Sequence, residues 1–204
     1  MLTGVILAGG HNRRMGGQNK ALLSFPNERL IERQIRIMRQ NCDEIIVVSN
    51  EPRTLLPILK DTVRIITDYI SGKGPLSGMH AAFSLSKNPY LWVVGCGMPY
   101  ICPNAADLLW KHKKDLRCDA IIPFVGNQLH PLHGIYHKSC SSVISKLLEL
   151  ECDQYKVHEL FNNIYYETLS ESLFAAQNID LKFLINIHSP EDYKQILRTS
   201  HTFI

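Results

Sequence analysis

Short apolar runs recur along the chain, nearly continuous rather than alternating with polar residues. Leu2-Thr3-Gly4-Val5-Ile6-Leu7 comes first, followed by Glu44-Ile45-Ile46-Val47-Val48, Val63-Arg64-Ile65-Ile66, Leu91-Trp92-Val93-Val94 and Ala120-Ile121-Ile122. Strands covered on both faces read this way, and the β-branched content favours strand over helix, so a mostly parallel sheet is expected. Between the runs, Leu30, Ile31, Gln34, Ile35 and Met38 recur at helical spacing, as do Ala105, Leu108, Leu109 and Trp110. Strand and helix alternate as far as Pro123, which predicts an α/β fold of the three-layer, Rossmann-like kind: a mostly parallel twisted sheet flanked by helices on both faces. Beyond Pro123 the pattern is less regular. Leu132–Tyr136 reads as a strand, Ser139–Glu149 as a helix, and Phe183–Ile187 as a late strand before a helix that begins near Pro190.

A chain of 204 residues with 45% hydrophobic content can bury one sizeable core, so residues 1–204 are expected to form one domain. The 22 Lys and Arg against 19 Asp and Glu leave a net charge of +3 without a run of one sign, too mild to point to nucleic acid or a membrane surface. The opening residues carry no basic stretch and no apolar run is long enough to span a bilayer, so a cytoplasmic protein is expected. Cysteines at 42, 96, 102, 118, 140 and 152 are too scattered for paired zinc-type spacing and read as reduced packing residues.

Ligands in an open parallel sheet sit outside the carboxyl ends of the strands, which directs attention to the loop after the first run, Leu7-Ala8-Gly9-Gly10-His11-Asn12-Arg13-Arg14-Met15-Gly16-Gly17-Gln18-Asn19-Lys20. Its glycines let backbone amides approach a ligand, and Arg14 and Lys20 supply positive charge for phosphate oxygens. These features describe a triphosphate cradle. The ATPase-type pattern is absent, because Lys20 stands three residues beyond Gly17 and is followed by Ala21.

The run Leu7 to Gly10 with Arg14, Met15, Gly16, Lys20, Leu22 and Leu23 resembles the opening of the molybdenum cofactor guanylyltransferases and their nucleotidyltransferase relatives. Gly74-Pro75-Leu76-Ser77-Gly78, preceded by Asp68, is similar to a second segment of that family, and Asn186-Ile187-His188-Ser189-Pro190-Glu191-Asp192 to a third, so the resemblance covers nearly the whole chain. It implies transfer of the guanylyl group of GTP to the terminal phosphate of molybdopterin, with magnesium, and release of pyrophosphate. It further implies that Leu7, Ala8 and Gly9, next to Gly10, hold guanine through backbone groups, that Arg14 and Lys20 contact phosphates in the catalytic role, and that Asp68 lines the guanosine pocket with Asn50 as a further candidate. The partners it implies are a nucleoside triphosphate and a pterin phosphate acceptor, with molybdenum cofactor enzymes or their chaperones as candidate protein partners.

Three positions depart from the family pattern. Cys96-Gly97-Met98-Pro99 carries glycine where the family has a metal-binding aspartate, Asn19 replaces an acidic residue before the lysine, and His188 replaces an asparagine. Magnesium wants hard oxygen ligands, usually one or two carboxylates, so these changes leave the metal ligands unassigned and predict low turnover. All three positions are expected to face the metal and triphosphate. An active enzyme with Asp68 recruited to the metal, a related transferase with another nucleotide such as CTP or another acceptor, and a nucleotide-binding homologue without turnover are the alternatives. His130 and His133 stand three apart, but Pro131 between them argues against a shared helical face, and an acceptor-side or structural role is expected. Trp92 and Trp110 read as core, and Cys96 as a small buried hydrophobe.

Overall fold

The computed structural model describes residues 1–10, 15–59, 63–68, 70, 73–150 and 157–200. In chain order these form β1 (Thr3–Leu7), a short 3-10 turn at Lys20–Leu22, β2 (Ser24–Phe25), β3 (Glu28–Arg29), α1 (Leu30–Met38), β4 (Glu44–Val48), α2 (Pro52–Leu59) and β5 (Arg64–Ile66). Then follow α3 (Gly74–Leu85), β6 (Tyr90–Gly95), α4 (Pro103–Asp115), β7 (Ala120–Val125), β8 (Gln128–Leu129), β9 (Gly134–His137), α5 (Cys140–Glu149), α6 (Val157–Leu160), β10 (Tyr166–Ser170), α7 (Glu171–Ala176) and α8 (Pro190–Ser200).

The expected three layers are present. The main sheet runs β10-β7-β9-β6-β1-β4-β5, with β8 paired to β7. Pairs β1 with β4, β1 with β6, β4 with β5 and β7 with β10 are parallel, whereas β9 lies antiparallel between β6 and β7. Because each central strand is covered on both sides, its side chains divide between two cores. Ile6, Val47, Trp92 and Val94 pack with α1, α2 and α4 on one face, and Val5, Ile46, Val48 and Val93 pack with α3 and α5 on the other. Helix α1 buries the very face expected from its spacing, and the Glu32 carboxylate fixes its start by accepting the Arg29 N–H at 2.8 Å. Trp92 is fully buried, as expected.

The chain departs from the expected elements after Pro123. Phe183–Ile187 is not a strand: Leu181–Leu184 forms a 3-10 turn, and Phe183 turns inward onto His133 and Phe174. The expected strand at Leu132–Tyr136 starts at Gly134, because His133 has a left-handed backbone (φ 101°) that breaks the extended run. Strand β10 is a sheet edge whose only buried residue is Leu169, so it has no hydrophobic pattern to announce it. A third, smaller core of Met15, Leu23, Phe25, Leu30, Ile187 and Ile196 seats α8 against the β2–β3 hairpin.

Candidate functional site

Strand order reverses at β1: the chain moves outward through β4 and β5, then returns to place β6 on the other side of β1. The carboxyl ends of β1 and β6 therefore part to leave a crevice. A cavity of about 310 Å³ lies there, lined by Leu7, Gly9 and Gly10 after β1, Asn50 after β4, Asp68 after β5, and Gly95, Cys96 and Gly97 at the end of β6. Lys20, Leu132, Asn186 and the start of α3 complete it.

On the first side the backbone is tied to the sheet. Ala8 N–H donates to Val48 O (2.7 Å), and Leu7 O accepts from Cys96 N–H (3.0 Å). Asn50 Nδ2 donates to Gly9 O at 2.9 Å, and a Cβ at Gly9 would stand 3.1 Å from Asn50 Oδ1, so a side chain there would crowd this clamp. Gly16 and Gly17, in the turn that leads to Lys20, have φ of 61° and 86°, a region that favours glycine. Opposite lies the N-terminus of α3, where Gly74 and Pro75 line the cavity. Gly78, one turn on, lets this helix approach β1, since a Cβ there would already be 3.1 Å from Leu7 Cδ2. The end of a twelve-residue helix presents unpaired N–H groups and a positive dipole, both favourable to anions.

The second side is the turn after β6. Gln34, fully buried on α1, donates through Nε2 to Gly95 O (2.8 Å) and Met98 O (2.9 Å), fixing the turn from below. Burial pushes the Cys96 thiol up to about 11, so it stays protonated and serves as lining rather than as a nucleophile. Gly97 O accepts from Ile187 N–H at 2.8 Å, which brings the segment before α8 against the turn. That segment is held by a capping box. Ser189 Oγ accepts from Asp192 N–H (3.2 Å), while the Asp192 carboxylate accepts from the N–H of Ser189 (2.9 Å) and of His188 (2.8 Å), with Pro190 at the first helical position. The two backbone donors hold the Asp192 carboxyl below the usual range.

Gly97 is not a vacant spot awaiting a side chain. A Cβ there would lie 2.3 Å from Asn186 Oδ1, 3.0 Å from Ile187 O and 3.4 Å from Lys20 Cδ. Asn186 Oδ1 is buried and has no hydrogen-bond partner.

Of the residues singled out from sequence, Leu7, Gly9, Gly10, Lys20, Asn50 and Asp68 meet in this cavity. Ala8 is buried outside its lining. Arg14, like Arg13, lies outside the described residues. Among the three departures from the family pattern only Gly97 lines the cavity, which corrects the expectation for the other two. Asn19 caps the 3-10 turn, its Oδ1 accepting from Ala21 N–H at 3.0 Å, and His188 is exposed beyond the lining because the capping box turns the chain away after Ile187. His133 is structural: its Nε2 accepts from Cys102 N–H (3.2 Å), Trp92 and Phe183 pack on the ring, and burial pulls its pKa down to about 3. The sequence reading did not assign Leu132 and Asn186 to the site. Asn186 had a signal in its late motif, whereas Leu132 had none beyond its place near the β9 strand.

Asp68 supplies a carboxylate to the cavity lining, and Asn186 Oδ1 is a lining amide oxygen that is buried without a hydrogen-bond partner. Both are donors that a magnesium or manganese ion accepts, so these residues fit such an ion better than the glycine suggests. No helix among the described residues is long and apolar enough to cross a membrane.

Residues 4–167 match the family model of the MobA-like NTP transferase domain. The chain is 35% identical over 191 residues to a probable molybdenum cofactor guanylyltransferase of Pelotomaculum thermopropionicum, spanning 93% of this chain and 89% of that protein. It is 32% identical over 195 residues to another from Clostridium perfringens, spanning 95% and 94%. Among solved structures, the molybdopterin-guanine dinucleotide biosynthesis protein A of Archaeoglobus fulgidus superposes with a TM-score of 0.83 at 21% identity, over 98% of this chain and 100% of that one, a likeness of fold.

Proposed function

The chain belongs to the molybdenum cofactor guanylyltransferase family of MobA-like NTP transferases, and from that premise we propose that it moves the guanylyl group of GTP onto the terminal phosphate of molybdopterin. We place this activity in the cytoplasm, in one domain. The observation that carries the reading is the cavity at the β1–β6 crevice, where Gly9 and Gly10, Lys20 and the N-terminus of α3 converge.

In this reading the base and ribose occupy the side lined by Leu7, Gly9, Asn50 and Asp68, and the triphosphate runs past Lys20 toward Gly97. An oxygen of the acceptor phosphate attacks the α-phosphorus of GTP; the bond from that phosphorus to the bridging oxygen breaks, and pyrophosphate leaves with the electron pair. The protein contributes no covalent nucleophile. Its task is to hold the two phosphates in line and to stabilise the charge that builds up on the leaving group. Lys20 is placed for the second task, and the protonated Cys96 does not compete as a nucleophile. A divalent cation, when bound with the triphosphate, supplies further neutralisation of that charge, and Asp68 and Asn186 are the side chains that fit it. Leu132, on the β9 side of the cavity, belongs to the acceptor end.

Isothermal titration with GTP, ATP and CTP, followed by pyrophosphate release with a molybdopterin acceptor, tests the proposal. GTP binding tightest, with release that depends on acceptor, supports it. Tightest binding of CTP or ATP points to a different nucleotide donor, and tight GTP binding without pyrophosphate release marks a binding protein.

A further inference from the structure

The family's metal carboxylate is missing at position 97, yet the space it would fill is not empty. Asn186 Oδ1 stands 2.3 Å from where a Cβ of residue 97 would be, inside the ordinary limit of contact, so a side chain at 97 and the present Asn186 amide exclude each other. That oxygen is buried and unpartnered, although an amide carbonyl enclosed in protein almost always finds a donor. It lines the same cavity as Lys20 and Asp68. The chain that follows it is tied down: Ile187 N–H donates to Gly97 O, and the capping box joins Ser189 to Asp192.

We propose that Asn186 Oδ1 is a ligand of the divalent cation that accompanies the triphosphate, standing in the place left by the carboxylate absent at Gly97. A neutral amide oxygen is a hard donor of the kind that calcium, magnesium and manganese accept. Without negative charge it binds the ion more weakly than a carboxylate, so this chain needs more metal for the same occupancy. The inference rests on the guanosine triphosphate reading above. It also changes what Gly97→Asp would do: the new carboxylate must first displace Asn186, so that variant exchanges one ligand for another instead of adding one.

The test is a manganese titration read by electron paramagnetic resonance, on the chain saturated with a non-hydrolysable GTP analogue, with the analogue alone as control. Asn186→Ala raises the manganese Kd by about tenfold or more, the loss of one charge-assisted contact, and Asn186→Asp lowers it by a similar factor. Gly97→Ala, whose methyl falls on Asn186 Oδ1, weakens manganese binding as Asn186→Ala does, and combining the two adds little. The affinity of the analogue without metal is measured in every variant and reports the nucleotide site separately. If Asn186→Ala binds the analogue but leaves the manganese Kd within about twofold of the native value, the inference fails while the nucleotide reading survives. If the native chain binds no analogue with or without manganese, both fail together.

Discussion

The side of the cavity formed by Gly9, Gly10 and Asn50 hangs directly from the sheet, whereas the side formed by Gly97 and Asn186 joins a turn to a segment almost ninety residues further along the chain. The first is fastened by bonds between neighbouring strands and the Asn50 clamp. The second depends on Gln34 beneath the turn and on the capping box of α8. A local motif is enough to specify the first side. The second becomes intelligible only when the two remote pieces are seen in contact, because the glycine at 97 and the amide at 186 share one volume.

The largest effect on this contrast is expected at Lys20, which lines the cavity and also approaches position 97. Lys20→Ala should lower kcat/KM for guanylyl transfer by about a hundredfold, the range seen when a donor to developing negative charge is removed. Steady-state pyrophosphate release measures it. An unchanged rate would mean that the two sides do not share a triphosphate.

Next comes the support beneath the second side. Gln34→Leu strips the Gly95 and Met98 carbonyls of their buried donor and should cost about 2 kcal/mol or more in urea unfolding. It should also weaken manganese affinity more than metal-free nucleotide affinity. Equal losses in both would erase the distinction between the sides.

Asn50→Ala acts on the first side alone. Releasing Gly9 O should weaken metal-free GTP binding about fivefold, the worth of one hydrogen bond, and leave manganese affinity of the nucleotide complex as it was. Titration calorimetry of both ligands separates these outcomes.

The smallest effect is in acid. Backbone N–H groups hold the Asp192 carboxyl low, so its contribution is present above the unfolded value of about 3.9 and is lost as pH falls through the lower folded value. Asp192→Asn should flatten that acid limb of the stability curve, read in thermal melts as the pH is lowered through the carboxylate range. No flattening would mean that the Asp192 carboxylate adds nothing to stability through its two backbone donors.

How much of this could be read beforehand follows the same division. The central strands were legible because burial on both faces leaves uninterrupted apolar runs, and α1 because Leu30, Ile31, Gln34, Ile35 and Met38 repeat with the helical period. Lys20, Asn50 and Asp68 were legible because each follows a strand or its loop at the sheet's carboxyl edge. Strand β10 was hidden because an edge strand with one buried residue has no pattern to show. Phe183–Ile187 misled because a buried Phe and Ile in an apolar stretch suit a strand equally well, and only the tertiary partners of Phe183 decide otherwise. Asn19 and His188 were grouped with Gly97 because they stand in motifs. A motif position, however, fixes neighbourhood in sequence and not the direction of a side chain: Asn19 is occupied in capping a turn and His188 has passed the cavity.

The third core has a consequence for motion. Met15, Leu23, Phe25, Leu30, Ile187 and Ile196 seat α8 with far less buried surface than the two cores that sandwich the sheet. A segment's opening free energy follows what it buries, so α8 and the residues leading into it are expected to exchange their amide hydrogens sooner than β1, β4 and β6. Asn186 rides on that unit. Opening of α8 would therefore carry Asn186 with it and leave β1, β4 and β6 undisturbed.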